Sequence, residues 1–508
     1  MTQATAHQAS IGAAFRASDA VQSSISRIVG ELESQRSAIT GVRGPTSPEA
    51  RQSFEDFMKL AGEVRGRPML YPYIGSGIGN GALVELMDGS VKYDMITGIG
   101  VHFFGHSDPE LVGCALEAAT NDVVMQGHLM MNEEAIRFTK SLLDYAGRNS
   151  NLRHAFLCNS GAMANENALK VCYQKHAPVS RVIAFSHCFM GRSVTMAQIG
   201  DSAAGRVGIP LSTQVDYMPF YDHAAAKRMQ AGDVSGQTRY IDMCCWHLEQ
   251  YIERYPKQHA CFIYELVQGE GGFNTAPPEF FRALMQICKD RGIAVWADEV
   301  QTFGRTEEMF CFDALGLGDL VDVSCVGKMS QVCATLYTEE YNPQAGLLSG
   351  TFLGNSAGLR VGRQIIERLG SGDYYGKDGR IHRHHEVFRT GVRALAQKHP
   401  DWFPAHHEVT DIVGGFGGMM RFTPFGGAKE PVLALCKALF DEGVVAFYCG
   451  HGPYHMRFLP PLGVMKEEQW ASVFEIVEKA MAKIAPTVPN APASKVRPMQ
   501  ASANNGRG

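Results

Sequence analysis

Ile293-Ala-Val-Trp-Ala-Asp-Glu-Val-Gln301 begins as a buried strand and ends in charge. Ile293, Val295 and Trp296 are apolar, and Arg291-Gly292 ahead of them is a turn signal. Two carboxylates, Asp298 and Glu299, stand where the strand should stop. In open α/β sheets, ligands bind outside the carboxyl ends of the strands. A second apolar run, Leu320-Val-Asp-Val-Ser-Cys-Val326, leads to Lys328. An acid and a lysine, each closing a core strand, suggest one chemistry. The lysine holds an aldehyde cofactor as an imine, and the acid keeps the cofactor's pyridine nitrogen protonated. Taken alone, the same residues describe a surface lysine and a helix-capping acid at least as well. The rest of the chain decides between the two.

From about residue 154 the pattern alternates between strand and helix, which predicts a mostly parallel sheet with crossover helices. Strands are expected at 155–158, 181–185, 261–266, 293–298, 320–326 and 347–352, and helices from near Ser160, Pro277 and Asn355. A further helix falls within 235–259, with Trp246, Leu248, Tyr251 and Ile252 as its apolar side. Upstream, the alternation from Ala82 through Asp88-Gly89 to Val91-Lys-Tyr-Asp94 predicts a hairpin. Gly75-Ser-Gly-Ile-Gly-Asn-Gly81 does not fit a dinucleotide loop, because Asn80 takes the third glycine's place. It is expected as a flexible loop. Thr46-Ser-Pro-Glu49 and Ser107-Asp-Pro-Glu110 are helix starts.

Residues 1–45 read as an arm with one amphipathic helix through Ile25, Ile28, Val29 and Leu32, lying on a partner subunit. Beyond a helix over 355–369, Arg380-Ile-His-Arg-His-His385 is expected as a solvated helix face, since its spacing matches no metal-ligand motif. Strands near 408–422 and 443–447 and a helix near 466–485 suggest a smaller α/β domain. The tail from Pro486 is expected to be disordered. The chain thus divides into an arm with helices (1–81), a large domain (82–365) whose N-terminal hairpin lies on the small-domain side, a small domain (366–485) and a tail (486–508).

Across 508 residues, 45% hydrophobic and 19% charged side chains describe a globular protein. A net charge of −5 gives no electrostatic case for nucleic acid. The thirteen cysteines contain no C-x-x-C pair, which fits reduced thiols and a cytoplasmic location. Neither a signal peptide nor an apolar run of about 18 residues is evident.

Ala155-Phe-Leu-Cys-Asn-Ser-Gly-Ala-Met-Ala-Asn-Glu-Asn-Ala-Leu-Lys170 is a strand, a small-residue turn and a helix. Free N–H groups at such a turn bind phosphate, although an ordinary capped turn looks the same. This stretch resembles the S-G-A-x-A-N-E segment of class III aminotransferases, which are fold-type I pyridoxal-phosphate enzymes. Phe189-Met-Gly-Arg-Ser193 is similar to that family's aromatic-His-Gly-Arg-Thr. Glu265-Leu-Val-Gln-Gly-Glu-Gly-Gly272 resembles E-P-x-Q-G-E-G-G, and Asp298-Glu-Val-Gln-Thr-Phe-Gly-Arg305 resembles D-E-V-Q-T-G-F-G-R. Lys328 falls on the family's lysine. Gly350-Thr-Phe-Leu-Gly-Asn355 and Met456-Arg-Phe-Leu-Pro-Pro-Leu462 resemble its G-T-x-x-G-N and R-x-x-P-P-L segments.

The resemblance, from about Ala82 to Ile484, implies an α/β fold. It has a large domain built on a mostly parallel seven-stranded sheet and a smaller C-terminal α/β domain. It also implies a role for each matching residue. Lys328 forms the imine and carries the proton, and Asp298 pairs with the pyridine nitrogen. Val300 and Phe189 cover the two ring faces, and Gln301 reaches the ring hydroxyl. Ser160, Gly161 and Ala162 hold the phosphate. Thr351 reaches the phosphate in the neighbouring subunit, so a homodimer, or a tetramer of two, is implied. Arg457 clamps a substrate carboxylate, Glu270 neutralises it when a remote amine binds, and Arg192 is a second carboxylate ligand. No metal is implied. Met190, Met163 and Leu266 depart from the family's His, Glu and Pro, and one Gly is missing after Thr302. The run Lys328-Met-Ser-Gln-Val-Cys333 is similar to that of L-lysine 6-aminotransferases, which points to a terminal-amine donor and a 2-oxo acid acceptor such as 2-oxoglutarate or pyruvate. Val326-Gly-Lys-Met-Ser330 is not a P-loop, because Asp322 and Met329 stand at required positions. An aminomutase, racemase or decarboxylase could use the same lysine, and a non-catalytic binding protein could keep the fold.

Overall fold

The computed structural model describes residues 10–69, 71–121 and 125–488. Seven strands form the central sheet: β1 (Leu152–Cys158), β2 (Arg181–Phe185), β3 (Gln214–Met218), β4 (His259–Tyr264), β5 (Ala294–Glu299), β6 (Val323–Val326) and β7 (Cys333–Thr338). Their order is β1-β7-β6-β5-β4-β2-β3. Six run parallel and β7 is antiparallel to both neighbours. The fold is the expected fold-type I arrangement. Strands β4, β5 and β6 are buried along their whole length. Covered on both faces, they need no polar–apolar alternation.

Two of these strands were not expected. β3 lies at an edge and is only half covered. β7 returns straight from the Lys328 turn without a crossover helix. The strand expected at 347–352 does not form, because Gly346 takes a left-handed φ of +90° and bends follow. Gly75–Asn80 is not a loop but a strand paired with Leu83–Leu86, which in turn pairs with Val91–Asp94 in the expected hairpin. At Gly79 a side chain would lie 2.5 Å from both Leu83 O and His106 Cβ, so only glycine passes there. The fourth strand of this sheet is Val444–Val445.

The C-terminal sheet comprises β8 (Val413–Phe416), β9 (Met419–Phe422), β10 (Phe447–Cys449) and β11 (His455–Phe458), in the order β8-β9-β11-β10. The helix Arg380–Lys398 packs beside it. Its His-rich start is not a solvated face: Ile381, His384 and His385 are buried. His384 Nδ1 accepts the Trp470 indole N–H at 3.0 Å, and His385 Nδ1 is 2.6 Å from Gly417 O. The helix Gly236–Arg254 buries Tyr240, Cys244, Leu248 and Ile252, leaving Trp246 61% exposed, contrary to expectation. The helix Ser356–Ser371 runs through the boundary drawn at 365/366. Of the tail expected from Pro486, residues 486–487 complete the turn Ala485–Thr487, and 489–508 lie outside the described residues, as do 1–9 of the arm.

Candidate active site

Strand β1 ends at Cys158, and Ser160 caps the helix α1 (Gly161–His176) with its Oγ accepting from Met163 N at 3.2 Å. The free N–H groups of the first turn, at Gly161 and Ala162, therefore face outward at the carboxyl edge of the sheet. A side chain on Gly161 would meet Val300 Cγ1 at 2.8 Å, and one on Gly327 would meet it at 3.1 Å. These two glycines let Val300 sit between the turns that follow β1 and β6. The Phe189–Gly191 loop closes on the same turn: a side chain on Gly191 would lie 2.7 Å from Ala162 Cβ.

Asp298 closes β5, only 6% exposed. Its Oδ2 accepts from Asn165 Nδ2 at 2.7 Å and its Oδ1 from Val300 N at 2.9 Å. Asn165 also donates to Met190 O at 2.8 Å, tying α1 to the Phe189 loop. Burial pushes the Asp298 pKa up, opposed by these donors and by the Lys328 charge. Lys328 sits in the short turn Lys328–Ser330 with φ at +52°, an uncommon conformation for a non-glycine residue. Burial lowers its pKa, opposed mainly by Asp298 and then Glu270. A desolvated lysine of this kind is present as the free amine, available as base and nucleophile, in a larger fraction at neutral pH than an exposed one.

Glu265, just beyond β4, accepts from Phe189 N and Gly269 N, both at 2.9 Å. Burial, then the Asp298 charge, push it up to about 8. Glu270 lies on the turn Gly269–Gly272 and accepts from Arg457 Nη1 at 2.7 Å. Arg457, on β11, is fully buried, with its guanidinium 5.0 Å from the Phe447 ring centroid. Its Nε and Nη2 are buried without a partner. That free edge is the bidentate fork that a planar carboxylate matches. Gln301 packs against Gly269, and its Oε1 is likewise buried and unpartnered.

One group of expected residues thus converges: Ser160, Gly161, Ala162, Phe189, Asp298, Val300, Gln301, Lys328 and Glu270 lie at one edge of the central sheet, and Arg457 reaches Glu270 there from the C-terminal sheet. Arg192 is exposed and lies over the Phe189 ring at 5.1 Å. Thr351 makes none of the contacts above; it is exposed, with its carbonyl set against Gly127. Asn165 and Glu265 were quoted within motifs but given no role. Their signal was a polar residue amid buried helix or strand positions. Among the described residues no group of three or more His, Cys, Asp or Glu is placed to hold a metal, and no helix is long and apolar enough to cross a membrane.

The family model for class-III aminotransferases matches residues 71–481. An acetylornithine aminotransferase of Bacillus anthracis is 27% identical over 411 residues, covering 80% of this chain and 94% of its own. The structure of a lysine aminotransferase from M. tuberculosis superposes with a TM-score of 0.70 at 22% identity, covering 85% of this chain and 100% of that one. A taurine:2-oxoglutarate aminotransferase from Bifidobacterium kashiwanohense, solved with PLP and glutamate, gives 0.73 at 17% identity, covering 86% and 99%.

Proposed function

We propose that this chain, which belongs to the class-III aminotransferase family, moves an amino group from a terminal amine, such as that of lysine or another ω-amino acid, to a 2-oxo acid such as 2-oxoglutarate or pyruvate. It is a pyridoxal-phosphate enzyme. The site residues fit that group. Asn165 Oδ1 and Gln301 Oε1 are buried and unpartnered, Asp298 is a buried carboxylate without an ion pair among the described residues, and a capped helix N-terminus stands beside it. When bound, the cofactor supplies an electron sink for the carbon that loses its proton.

The chain's own residues do the remainder. Lys328 Nζ would hold the aldehyde end and, once released, would move the proton at the substrate carbon, for which its lowered pKa suits it. Asp298, whose orientation Asn165 fixes, would keep the pyridine nitrogen protonated. Val300 and Phe189 would cover the ring, Gln301 would take its hydroxyl, and Ser160, Gly161 and Ala162 would take the phosphate. Arg457 binds a substrate carboxylate through its free edge, and Arg192 offers a second cation at the pocket rim.

The single observation that carries the reading is the Arg457–Glu270 pair. Closed, it presents a neutralised wall to a remote amine; open, it offers a buried guanidinium to a dicarboxylate. Two substrates of different charge must alternate in one pocket, and this pair suits both. A homodimer is supported by an apolar patch around Thr351: Leu129 is 93% and Phe352 61% exposed, and His128 N joins the two segments by bonding Gly350 O. Thirteen unpaired thiols favour the cytoplasm.

The test is single-turnover spectroscopy of the holoprotein against lysine, ornithine, 4-aminobutyrate, β-alanine, diamines and α-amino acids, with no acceptor present. Conversion of the bound cofactor to its amine form identifies the donor class. Substrate binding that never yields the amine form would replace transamination with mutase, racemase or decarboxylase chemistry.

A further inference from the structure

Two arginines stand side by side on one face of the C-terminal sheet. Arg421 on β9 is directly opposite Arg457 on β11, and directly opposed residues share a face. Like charges so placed repel. Arg457 has Glu270; among the described residues Arg421 has no carboxylate within ion-pair distance. Only its Nη1 is engaged, at 3.2 Å from Thr423 Oγ1 and 3.3 Å from His455 Nδ1. Its Nε is buried without a partner. Burial pulls its pKa down, as it does that of His455, which therefore adds no further positive charge beside it. The guanidinium lies flat over Gly414, its neighbour on β8: a side chain there would meet Cζ at 2.7 Å and Nε and Nη2 at 2.8 Å. The sheet is thus shaped to hold this group where it is.

Arg421 lines a cavity of about 700 Å³ between the C-terminal sheet and the loops beyond β2, β3 and β4. The carboxylates on its wall are committed elsewhere. Asp222 caps Ala225 N, Asp411 pairs with Arg393 and Glu408 lies near His407. Gln268, Gly271 and Asn274 line its inner side, and Lys328 and Asp298 do not line it. The turn bearing Glu270 therefore separates it from the site above. A half-buried charge with no ion-pair partner and a buried, unpartnered Nε is costly unless something compensates it. We propose that Arg421 anchors a second anion site in this cavity, taking a small ligand with a carboxylate or phosphate group on its Nε–Nη2 edge. The proposal is independent of which amine the enzyme uses.

The experiment is calorimetric titration of the cofactor-saturated holoenzyme with citrate and, separately, with inorganic phosphate, in a buffer free of other oxyanions. Cofactor saturation removes the phosphate turn of α1 as a competing site. Beside any carboxylate binding at Arg457, one saturable event per subunit that survives Arg457→Gln is expected with at least one probe, and the probe that binds identifies the group. Arg421→Gln should raise Kd at least tenfold. Gly414→Ala, which displaces the guanidinium without removing its charge, should do the same and decides the matter if Arg421→Gln does not fold. Arg457→Gln should leave the event intact. The proposal is overturned if neither probe saturates in the millimolar range. It is equally overturned if the Arg421 and Gly414 variants bind as the wild type does, or if binding disappears only with Arg457→Gln.

Discussion

Replacing Glu270 by alanine should tighten the complex with a dicarboxylic oxo acid about tenfold. In the closed pair, Glu270 Oε1 holds Arg457 Nη1 at 2.7 Å and neutralises the guanidinium whose Nε–Nη2 edge the incoming carboxylate takes, so two carboxylates compete for one charge. A hydrogen bond between charged groups is worth about 1.5–3 kcal/mol net. The Glu270 side chain is 32% exposed, so screening by water argues for the low end. A competitor worth about 1.4 kcal/mol corresponds to a factor of about ten in Kd. The assay is stopped-flow reaction of the amine-form enzyme with 2-oxoglutarate, reading Kd from the concentration dependence of the single-turnover rate. The same variant should lose preference for donors that bring no carboxylate to Arg457. Arg457→Ala should do the opposite, crippling the oxo-acid half far more than the amine half. An unchanged or weaker oxo-acid complex in Glu270→Ala would falsify the idea that this pair opens for the acceptor.

Lys328→Ala should keep its oligomeric state by size-exclusion chromatography yet lose turnover by about a hundredfold or more, the low end of a general acid–base contribution; substantial residual turnover sinks the assignment. Glu265 gives a pH signature. Its folded pKa of about 8 lies above its ordinary 4.5, so the folded chain keeps a proton that the unfolded chain releases. Its contribution to stability is fullest below about pH 4.5 and falls as pH rises towards about 8. Glu265→Gln stays neutral, so its Tm deficit relative to wild type should shrink between about pH 5.5 and 8.5; a deficit constant across that range contradicts the buried-carboxyl account. Gly161→Ala forces a methyl group to 2.8 Å from Val300 Cγ1. Overpacking of this kind costs about 1–3 kcal/mol, so cofactor retention, followed spectrophotometrically on dilution, should weaken about tenfold or more; unchanged retention means that Val300 can move aside freely.

That the residues expected to hold the cofactor come together was legible because they stand at the ends of continuous apolar runs. Asp298 closes β5 and Lys328 follows β6, and Ser160 caps α1 where the small-residue turn placed it. Features that depend on distant partners were not legible. His384 and His385 fall on the buried stripe with Ile381, Phe388, Val392 and Leu395. A sequence window shows two histidines there but not the Trp470 and Gly417 groups that satisfy them. Strand β7 follows the lysine so closely that a strand–helix rhythm passes over it. Gly75–Asn80 has Ile78 as its one strand-forming side chain and is a strand because Leu83–Leu86 pairs with it. Thr351 was assigned by motif, and within its own chain it stands exposed and apart from the other expected site residues.

Val444–Val445 pairs in parallel with Val91–Asp94, and Lys92 Nζ reaches back to Phe440 O at 2.8 Å. During synthesis the hairpin therefore leaves the ribosome with one edge open, and some 350 residues must follow before its partner exists. Through that interval the nascent chain carries a strand of buried-type residues whose outer edge is covered only at Val91, by Arg43, the kind of edge that joins neighbouring chains. A chain ending just before Val444 would have the whole central sheet and Lys328 but an unsealed hairpin. It should aggregate in proportion to its concentration, measurable by light scattering, whereas the full chain should not; equal scattering from both would show that the hairpin edge is protected by other means.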